Sequence, residues 1–260
     1  MTMAAAAIKI NKLDQGIFEM VMSYPERRNA LTLEMWQAIP DALAPLQTDD
    51  TLRALIIRGD GEHFSAGADI SEFERVFSGR ESARELYTAM KKTSQAILDI
   101  PVPTIAQMKG ACIGGGCAVA MACDIRFADD TAKFALPPAR LGLLYPYSDM
   151  KRLVSLVGLS TAKDLLFSAR LITSDDAQNL GLVNRCYPST ALEQEVLAYA
   201  KGLISISGYS QKRTKAIFQA IEADETIDEQ QAERIFLEAL DSSDFAEGFS
   251  AFLEKRKPQF

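Results

Sequence analysis

The clearest sign of chemistry in the chain is a run of three glycines, Gly114 to Gly116, which follows an apolar segment and leads into small, helix-compatible residues. Glycine allows a backbone to approach a ligand closely, and the first turn of a helix carries N–H groups that have no acceptor inside the helix. Together with the helix dipole, such N–H groups attract an anion. The run therefore predicts a place where backbone amides face negative charge.

A second segment of this kind lies upstream, where an apolar strand predicted at 54–58 leads through a loop into Ser65-Ala66-Gly67-Ala68-Asp69. Two N–H groups that converge from separate loops make an oxyanion hole, which stabilises an oxygen atom as it gains negative charge. Each segment alone also fits a tight turn or a close helix contact. The nucleotide-binding glycine motifs do not fit, because the chain has neither the Gly-Lys-Ser/Thr end of a P-loop nor a G-x-G-x-x-G run.

Composition restricts the class of protein. The 260 residues are 48% apolar and 24% charged, which suffices for one large domain with a full core. A net charge of −7 argues against a nucleic-acid partner. The longest uncharged run, 110–123, is too short to cross a bilayer, and the first residues lack the basic region of a signal peptide. Scattered cysteines without a C-x-x-C pair favour reduced thiols and a cytoplasmic location; they are Cys112, Cys117, Cys123 and Cys186.

Strands and helices alternate along the first part of the chain, and helices dominate the last part. Apolar runs bounded by turn residues predict strands at 8–12, 17–22, 54–58, 104–108 and 125–128, the first two forming a hairpin. Thr32 is predicted to cap a helix that Pro40 kinks or restarts, and a long amphipathic helix is predicted from about Ser82 to Leu98. Later helices are predicted to have Ser148, Ser160 and Ser174 as N-caps and to stop at Gly158 and Gly181.

With their flanks, the two glycine-containing segments resemble the paired signature of the crotonase (enoyl-CoA hydratase/isomerase) superfamily. The resemblance extends from Pro25-Glu26-Arg27-Arg28-Asn29-Ala30-Leu31 to Phe252-Leu253-Glu254-Lys255-Arg256-Lys257-Pro258. It implies an α/β fold, with a spiral of ββα units at 1–188 and a helical trimerisation region at 189–260. It also implies an acyl-CoA thioester substrate, a homo-oligomer (a trimer or a dimer of trimers) and no cofactor beyond the CoA of the substrate.

The resemblance also implies site residues. By family position, Ala68 and Gly115 supply the two N–H groups that hold the thioester carbonyl, each worth about 3–4 kcal/mol in the transition state. The positions that bind CoA or shape the acyl pocket are Arg28, Ala30, Ala66, Asp69, Ile70, Ala118 and Pro138. Phe252 and Lys255 match positions that reach the CoA of a neighbouring subunit. A solvated surface is the alternative for Arg28 and for these two C-terminal residues.

The chain departs from the family where hydratases carry their two catalytic glutamates. These positions hold Ala118 and Pro138 here. Neither side chain can transfer a proton, and positioned acid–base catalysis contributes about 100- to 10,000-fold per group. The resemblance therefore implies a member of the superfamily that lacks both hydratase glutamates.

Three other side chains are candidates for proton transfer. Tyr145 falls where a methylmalonyl-CoA decarboxylase branch also has a tyrosine, and its phenol could orient a carboxylate or return a proton to an enolate; simple packing is the alternative. Asp149 either acts in acid–base chemistry or favours a helix N-terminus. His63, the only histidine, is interpreted as a loop residue, and no metal-ligand set is recognisable.

Together these features predict an acyl-CoA-processing enzyme that stabilises a thioester enolate or oxyanion. Because the hydratase glutamates are missing, an isomerase, a decarboxylase or a C–C lyase is favoured over a true hydratase. The alternative is a catalytically silent paralogue that binds acyl-CoA or acts as a scaffold.

Overall fold

The computed structural model describes residues 6–260 as a mixed α/β protein with helices concentrated in its last third. The strands are β1 (Ala7–Lys12), β2 (Ile17–Ser23), β3 (Ala54–Gly59), β4 (Thr104–Met108), β5 (Ala111–Ile113), β6 (Ile125–Asp129), β7 (Lys133–Ala135), β8 (Ile172–Thr173) and β9 (Arg185–Tyr187). The α-helices are α1 (Leu33–Leu43), α2 (Phe73–Val76), α3 (Arg80–Leu98), α4 (Gly115–Ala122), α5 (Tyr147–Val157), α6 (Leu159–Ser168), α7 (Ser174–Asn179), α8 (Leu192–Ile204), α9 (Gly208–Glu222), α10 (Glu229–Glu238) and α11 (Ser243–Glu254).

Two sheets organise these elements. The larger has the strand order β1-β2-β3-β4-β6-β9, in which β1 runs antiparallel to β2 and every other neighbour is parallel. The smaller has the order β5-β7-β8. The α/β fold, the hairpin and the other predicted strands are confirmed. The sequence analysis missed β5, β7, β8 and β9, which are only 2 or 3 residues long and carry too little periodicity to be recognised.

Helices cover both faces of the larger sheet. On one face, Met20 and Ile57 belong to the same core cluster as Trp36 of α1. On the other face, Ile56 packs in a second cluster with Val196 of α8. Parallel strands covered on both sides are apolar along most of their length, which explains why β2 and β3 were recognisable from the sequence. The division of the chain at 188 stays a prediction, although α8, which follows it, lies on this sheet.

Helix α1 continues through a proline. Thr32 caps α1 by accepting a hydrogen bond from the Met35 N–H, as predicted. The helix does not restart at Pro40, because it runs on without a break to Leu43. Proline has no N–H for the carbonyl four residues earlier, and here that carbonyl, on Trp36, accepts a hydrogen bond of 2.7 Å from Thr93 Oγ1 of α3.

The predicted serine caps of the later helices are also wrong. Helix α5 is preceded by Pro146, α6 by Gly158, and α7 by Thr173, which forms a reciprocal capping box with Asp176. Gly158 does end α5, with a positive φ of 77°, and Gly181 follows α7 with a φ of 84°. In the part of the chain described here, no helix has both the length and the apolar character to cross a membrane.

Replacement of Thr93 by valine should destabilise the protein by about 1–3 kcal/mol, because the buried Trp36 carbonyl loses its partner. In a Pro40→Ala background the same replacement should cost less, since the amide of residue 40 can then donate to Trp36. Chemical denaturation of the four proteins in this cycle measures the difference. Thr88→Val, on the exposed side of α3, is the control and should change stability by less than about 0.5 kcal/mol. Equal costs in both backgrounds would contradict the explanation.

Candidate active site

The two glycine-containing segments meet through their backbones. The Ser65 N–H donates to the Ala111 carbonyl at 2.8 Å, and the Ile113 N–H donates to the Ser65 carbonyl at 2.9 Å. This pairing is parallel and places the loop before Ala68 beside β5, the strand that leads into the glycine run. Segments more than forty residues apart in sequence are therefore neighbours at the N-terminus of α4.

A third segment pairs with the other side of the loop. The Leu31 N–H donates to the Gly67 carbonyl at 2.7 Å, and the Asp69 N–H donates to the Leu31 carbonyl at 2.9 Å. Leu31 is therefore hydrogen-bonded to the two residues that flank Ala68, as in a parallel β-bridge. The N–H of Ala68 itself points away from Leu31, and within residues 6–260 it donates no hydrogen bond.

The amide groups of Ala68 and Gly115 lie close together. A Cβ atom built on Gly67 would lie 3.2 Å from the Gly115 nitrogen, and one built on Gly115 would lie 3.5 Å from the Ala68 nitrogen. Gly115 opens α4, so its N–H belongs to the turn that has no acceptors inside the helix. The predicted pair of N–H donors is therefore brought together.

Lack of space requires glycine at two of these positions. Gly67 has a positive φ of 93°, and a Cβ there would come within 2.7 Å of the Ile113 carbonyl oxygen. At Gly115 the obstacle is Trp36 of α1, whose Cζ2 atom would lie 2.7 Å from a Cβ. Trp36 is fully buried, and its ring lies against Gly115. The sequence analysis did not single it out, because a lone tryptophan in a helical pattern reads as ordinary core.

Tyr145 reaches this region from the loop before α5. Its side chain is only 6% exposed, and its phenol donates a hydrogen bond of 2.5 Å to the Gly114 carbonyl. Burial raises the pKa of Tyr145 well above its usual value, with further contributions from nearby Cys117 and Asp149. The phenol is therefore a neutral donor whose hydrogen already has an acceptor.

Asp149 and His63 also have partners within the protein. The buried Asp149 carboxylate accepts a hydrogen bond from Arg152 Nη1 at 2.6 Å. Burial raises the pKa of Asp149, and the ion pair with Arg152 opposes that rise. His63 lies in the loop before Phe64, where its Nδ1 accepts a hydrogen bond from the Ala111 N–H at 3.1 Å. This histidine orients the start of β5.

The remaining predicted residues divide by exposure. Ala30 and Ala118 are buried, Asp69 is buried and accepts a hydrogen bond from the Ser71 N–H, and Ala66 and Pro138 are partly buried. Arg28 is exposed, and its carbonyl accepts a hydrogen bond from the Ala66 N–H. Ile70 is 70% exposed and Phe252 is 79% exposed. Phe252 and the exposed Lys255 lie at the end of α11.

Asn29 was not predicted from the sequence, yet it holds the loop that follows β3. Asn29 is fully buried and has a positive φ of 55°, a conformation that asparagine tolerates better than most residues. Its amide accepts from the Tyr24 N–H and donates to the carbonyls of Asp60 and His63. The signal in the sequence was only one asparagine, and the two carbonyls to which it donates lie more than thirty residues further on.

Among the described residues, no three histidine, cysteine or acidic side chains lie close enough together to bind a metal ion.

Comparisons with known proteins agree with this architecture. The family model for enoyl-CoA hydratase/isomerase matches residues 12–260. The chain is 36% identical to the crotonyl-CoA hydratase of Syntrophomonas wolfei, over 95% of each chain. It is 31% identical to the peroxisomal Delta(3,5)-Delta(2,4)-dienoyl-CoA isomerase of Arabidopsis thaliana, over 95% of this chain and 93% of the other.

Solved structures give the same result. The crystal structure of an enoyl-CoA hydratase/isomerase family protein from Hyphomonas neptunium superposes with a TM-score of 0.94 at 36% identity, covering 100% of this chain and 99% of the other. The chain belongs to the enoyl-CoA hydratase/isomerase family.

Substitution of Gly115 by alanine should destabilise the protein by about 1–3 kcal/mol, because the added methyl group collides with Trp36 in a packed core. Gly202→Ala is the matched control: a Cβ at this position in α8 meets no atom within 4 Å. Because alanine favours a helix more than glycine does, Gly202→Ala should stabilise the protein by about 0.5–1 kcal/mol. Urea denaturation of both variants measures these changes. If Gly115→Ala leaves the free energy of unfolding unchanged, the expected collision is wrong and the Trp36 ring moves to make room.

Proposed function

We propose that this protein binds an acyl-CoA thioester with the carbonyl oxygen between the N–H groups of Ala68 and Gly115, and that it stabilises an enolate or oxyanion there. The observation that carries the proposal is the adjacency of these two amides, of which that of Ala68 donates to no other group in the described chain. Donors fixed before the reaction need no reorganisation as charge develops, and each is worth about 3–4 kcal/mol.

The reaction that we propose passes through a thioester enolate: double-bond isomerisation, decarboxylation or C–C cleavage, with water as the carrier of any proton that the substrate loses or the enolate takes up. Hydration requires a positioned water, a base and an acid. Ala118 and Pro138 supply none of these, and the Asp149 carboxylate is held by Arg152. Names among the relatives include both hydratase and isomerase, so family membership alone does not select the reaction.

The surface around the two amides supports a role in CoA binding. Arg28 and Ile70 are exposed on the loops that pair around Ala68, so a basic group and an apolar group are both available to a nucleotide and its linker. We propose that Ala30, Ala66 and Asp69 shape the same surface and that the substrate's CoA is the only cofactor.

A cytoplasmic location is also proposed, and the scattered cysteines support it.

A catalytically silent acyl-CoA-binding protein is the second candidate. One observation favours it: the Tyr145 phenol and the Asp149 carboxylate both have partners inside the protein. A silent protein would bind acyl-CoA thioesters and return them unchanged.

We expect the purified protein to bind acyl-CoA thioesters and to leave crotonyl-CoA essentially unhydrated. Liquid chromatography, which separates isomers of equal mass, coupled to mass spectrometry tests isomerisation, decarboxylation and C–C cleavage on a panel with a 3-enoyl-CoA, methylmalonyl-CoA and a 3-oxoacyl-CoA. A crotonyl-CoA hydratase is assayed alongside. Binding without conversion would favour the silent protein. Hydration of crotonyl-CoA with a kcat in the usual enzyme range of about 1–1,000 per second would contradict the proposed reaction class.

We also propose a homo-oligomer assembled through the C-terminal helices. Large apolar side chains are exposed on α10 and α11, including Phe236 at 73% and Phe249 at 56%. Clustered apolar surface of this kind marks an interface, and a second copy of the chain is the partner that the family resemblance implies.

Sedimentation at micromolar concentration should therefore give a mass above that of the 28.5 kDa chain. Phe236→Asp should lower this mass, because a charge would be buried at the interface. Leu13→Asp, an equally drastic change at an exposed position in the β1–β2 turn, is the control and should leave the mass unchanged. A monomeric wild-type protein would refute the oligomer.

A further inference from the structure

The Tyr145 phenol donates a hydrogen bond to the peptide group whose N–H, on Gly115, is proposed to face the thioester oxygen. Its acceptor, the Gly114 carbonyl, belongs to the Gly114–Gly115 peptide. In a trans peptide the C=O and N–H bonds point in opposite directions. The phenol therefore lies on one side of this peptide and the Gly115 N–H emerges on the other.

This peptide group has little to fix its orientation except hydrogen bonds. It is flanked by glycine on both sides, and Gly114 adopts a φ of 51° and a ψ of −113°, a conformation that side chains disfavour. Glycine on both sides restricts the rotation of this peptide plane less than other residues would. A rotated plane would direct the Gly115 N–H away from Ala68.

Two donors hold the Gly114 carbonyl. The Ala118 N–H lies 3.2 Å from the oxygen and the Tyr145 phenol lies 2.5 Å from it. The phenol gives the shorter bond and is itself fixed by burial. A hydrogen bond to the carbonyl also polarises the peptide, which makes its N–H a better donor.

We propose that Tyr145 is a positioning residue that holds the Gly114–Gly115 peptide with its N–H directed at the thioester oxygen. This inference rests on the proposed function and deepens it. It takes the place of the carboxylate orientation and the proton transfer for which Tyr145 was a candidate, because the phenolic hydrogen is directed at the backbone. The side chain acts through the Gly115 amide and need not touch the substrate.

Tyr145→Phe removes the hydroxyl and retains the ring, and Tyr147→Phe, an exposed tyrosine two residues further along, is the matched control. The probe is butyryl-CoA labelled with ¹³C at the thioester carbonyl, a saturated thioester that cannot be hydrated or isomerised. Isotope-edited infrared difference spectroscopy measures the carbonyl stretch of the bound probe, and calorimetry measures its affinity.

In the wild type and in Tyr147→Phe, the bound carbonyl band should shift to lower wavenumber, because two N–H donors polarise the bond. In Tyr145→Phe, the affinity should change little while at least about half of this shift is lost, since one of the two donors is no longer aligned. On a substrate found in the acyl-CoA panel, kcat should fall about tenfold with little change in KM.

The possible failures are distinguishable. If Tyr145→Phe binds the probe and keeps the full carbonyl shift, the positioning role is wrong, even if kcat falls. If the wild type neither binds the probe nor shifts its carbonyl band, the proposed function is wrong, and the inference falls with it. Thermal unfolding of Tyr145→Phe shows whether the measured protein is folded, and calorimetry gives the fraction of the probe that is bound, so the band of the bound carbonyl can be separated from that of the free probe.

Discussion

The structure of the site depends on parallel backbone pairing of one short segment, 65–69, with a neighbour on each side. Ser65 pairs with β5 and the residues around Ala68 pair with Leu31, so three distant parts of the chain share one set of hydrogen bonds. Backbone pairing fixes direction as well as distance, because the peptides that flank Ala68 determine where its own N–H points. Trp36, Asn29 and His63 then secure the edges of this arrangement.

Much of the site was predictable because its signals are local. Glycine runs after apolar strands mark places where the backbone must bend or approach another group, and both runs lie where the sequence indicated. The strands of the larger sheet were predictable for a related reason, since a strand covered on both faces is apolar throughout. These features depend on residues within a few positions of one another.

The missed features depend on partners far away in the chain. Pro40 should interrupt α1, and it does not because Thr93, 57 residues beyond Trp36, supplies the missing donor. The predicted serine caps failed because α6 and α7 begin one or two residues earlier: Gly158 precedes α6, and Thr173 caps α7 through its side chain. The sequence showed a phenol near the site but gave no sign of which way the Tyr145 hydroxyl points, since that depends on the fold of β5 and α4.

The amide groups of Ala68 and Gly115 belong to the main chain, so the usual survey of a site by side-chain replacement has little to act on. An alanine scan passes over Ala68 because that residue is already alanine, and at Gly115 it reports a collision with Trp36. In genetic terms, the two amides are specified by neighbouring residues that shape the backbone, such as Asn29 and Gly67. Loss of the proposed function should therefore also map to positions such as Asn29, whose side chain acts only through the backbone.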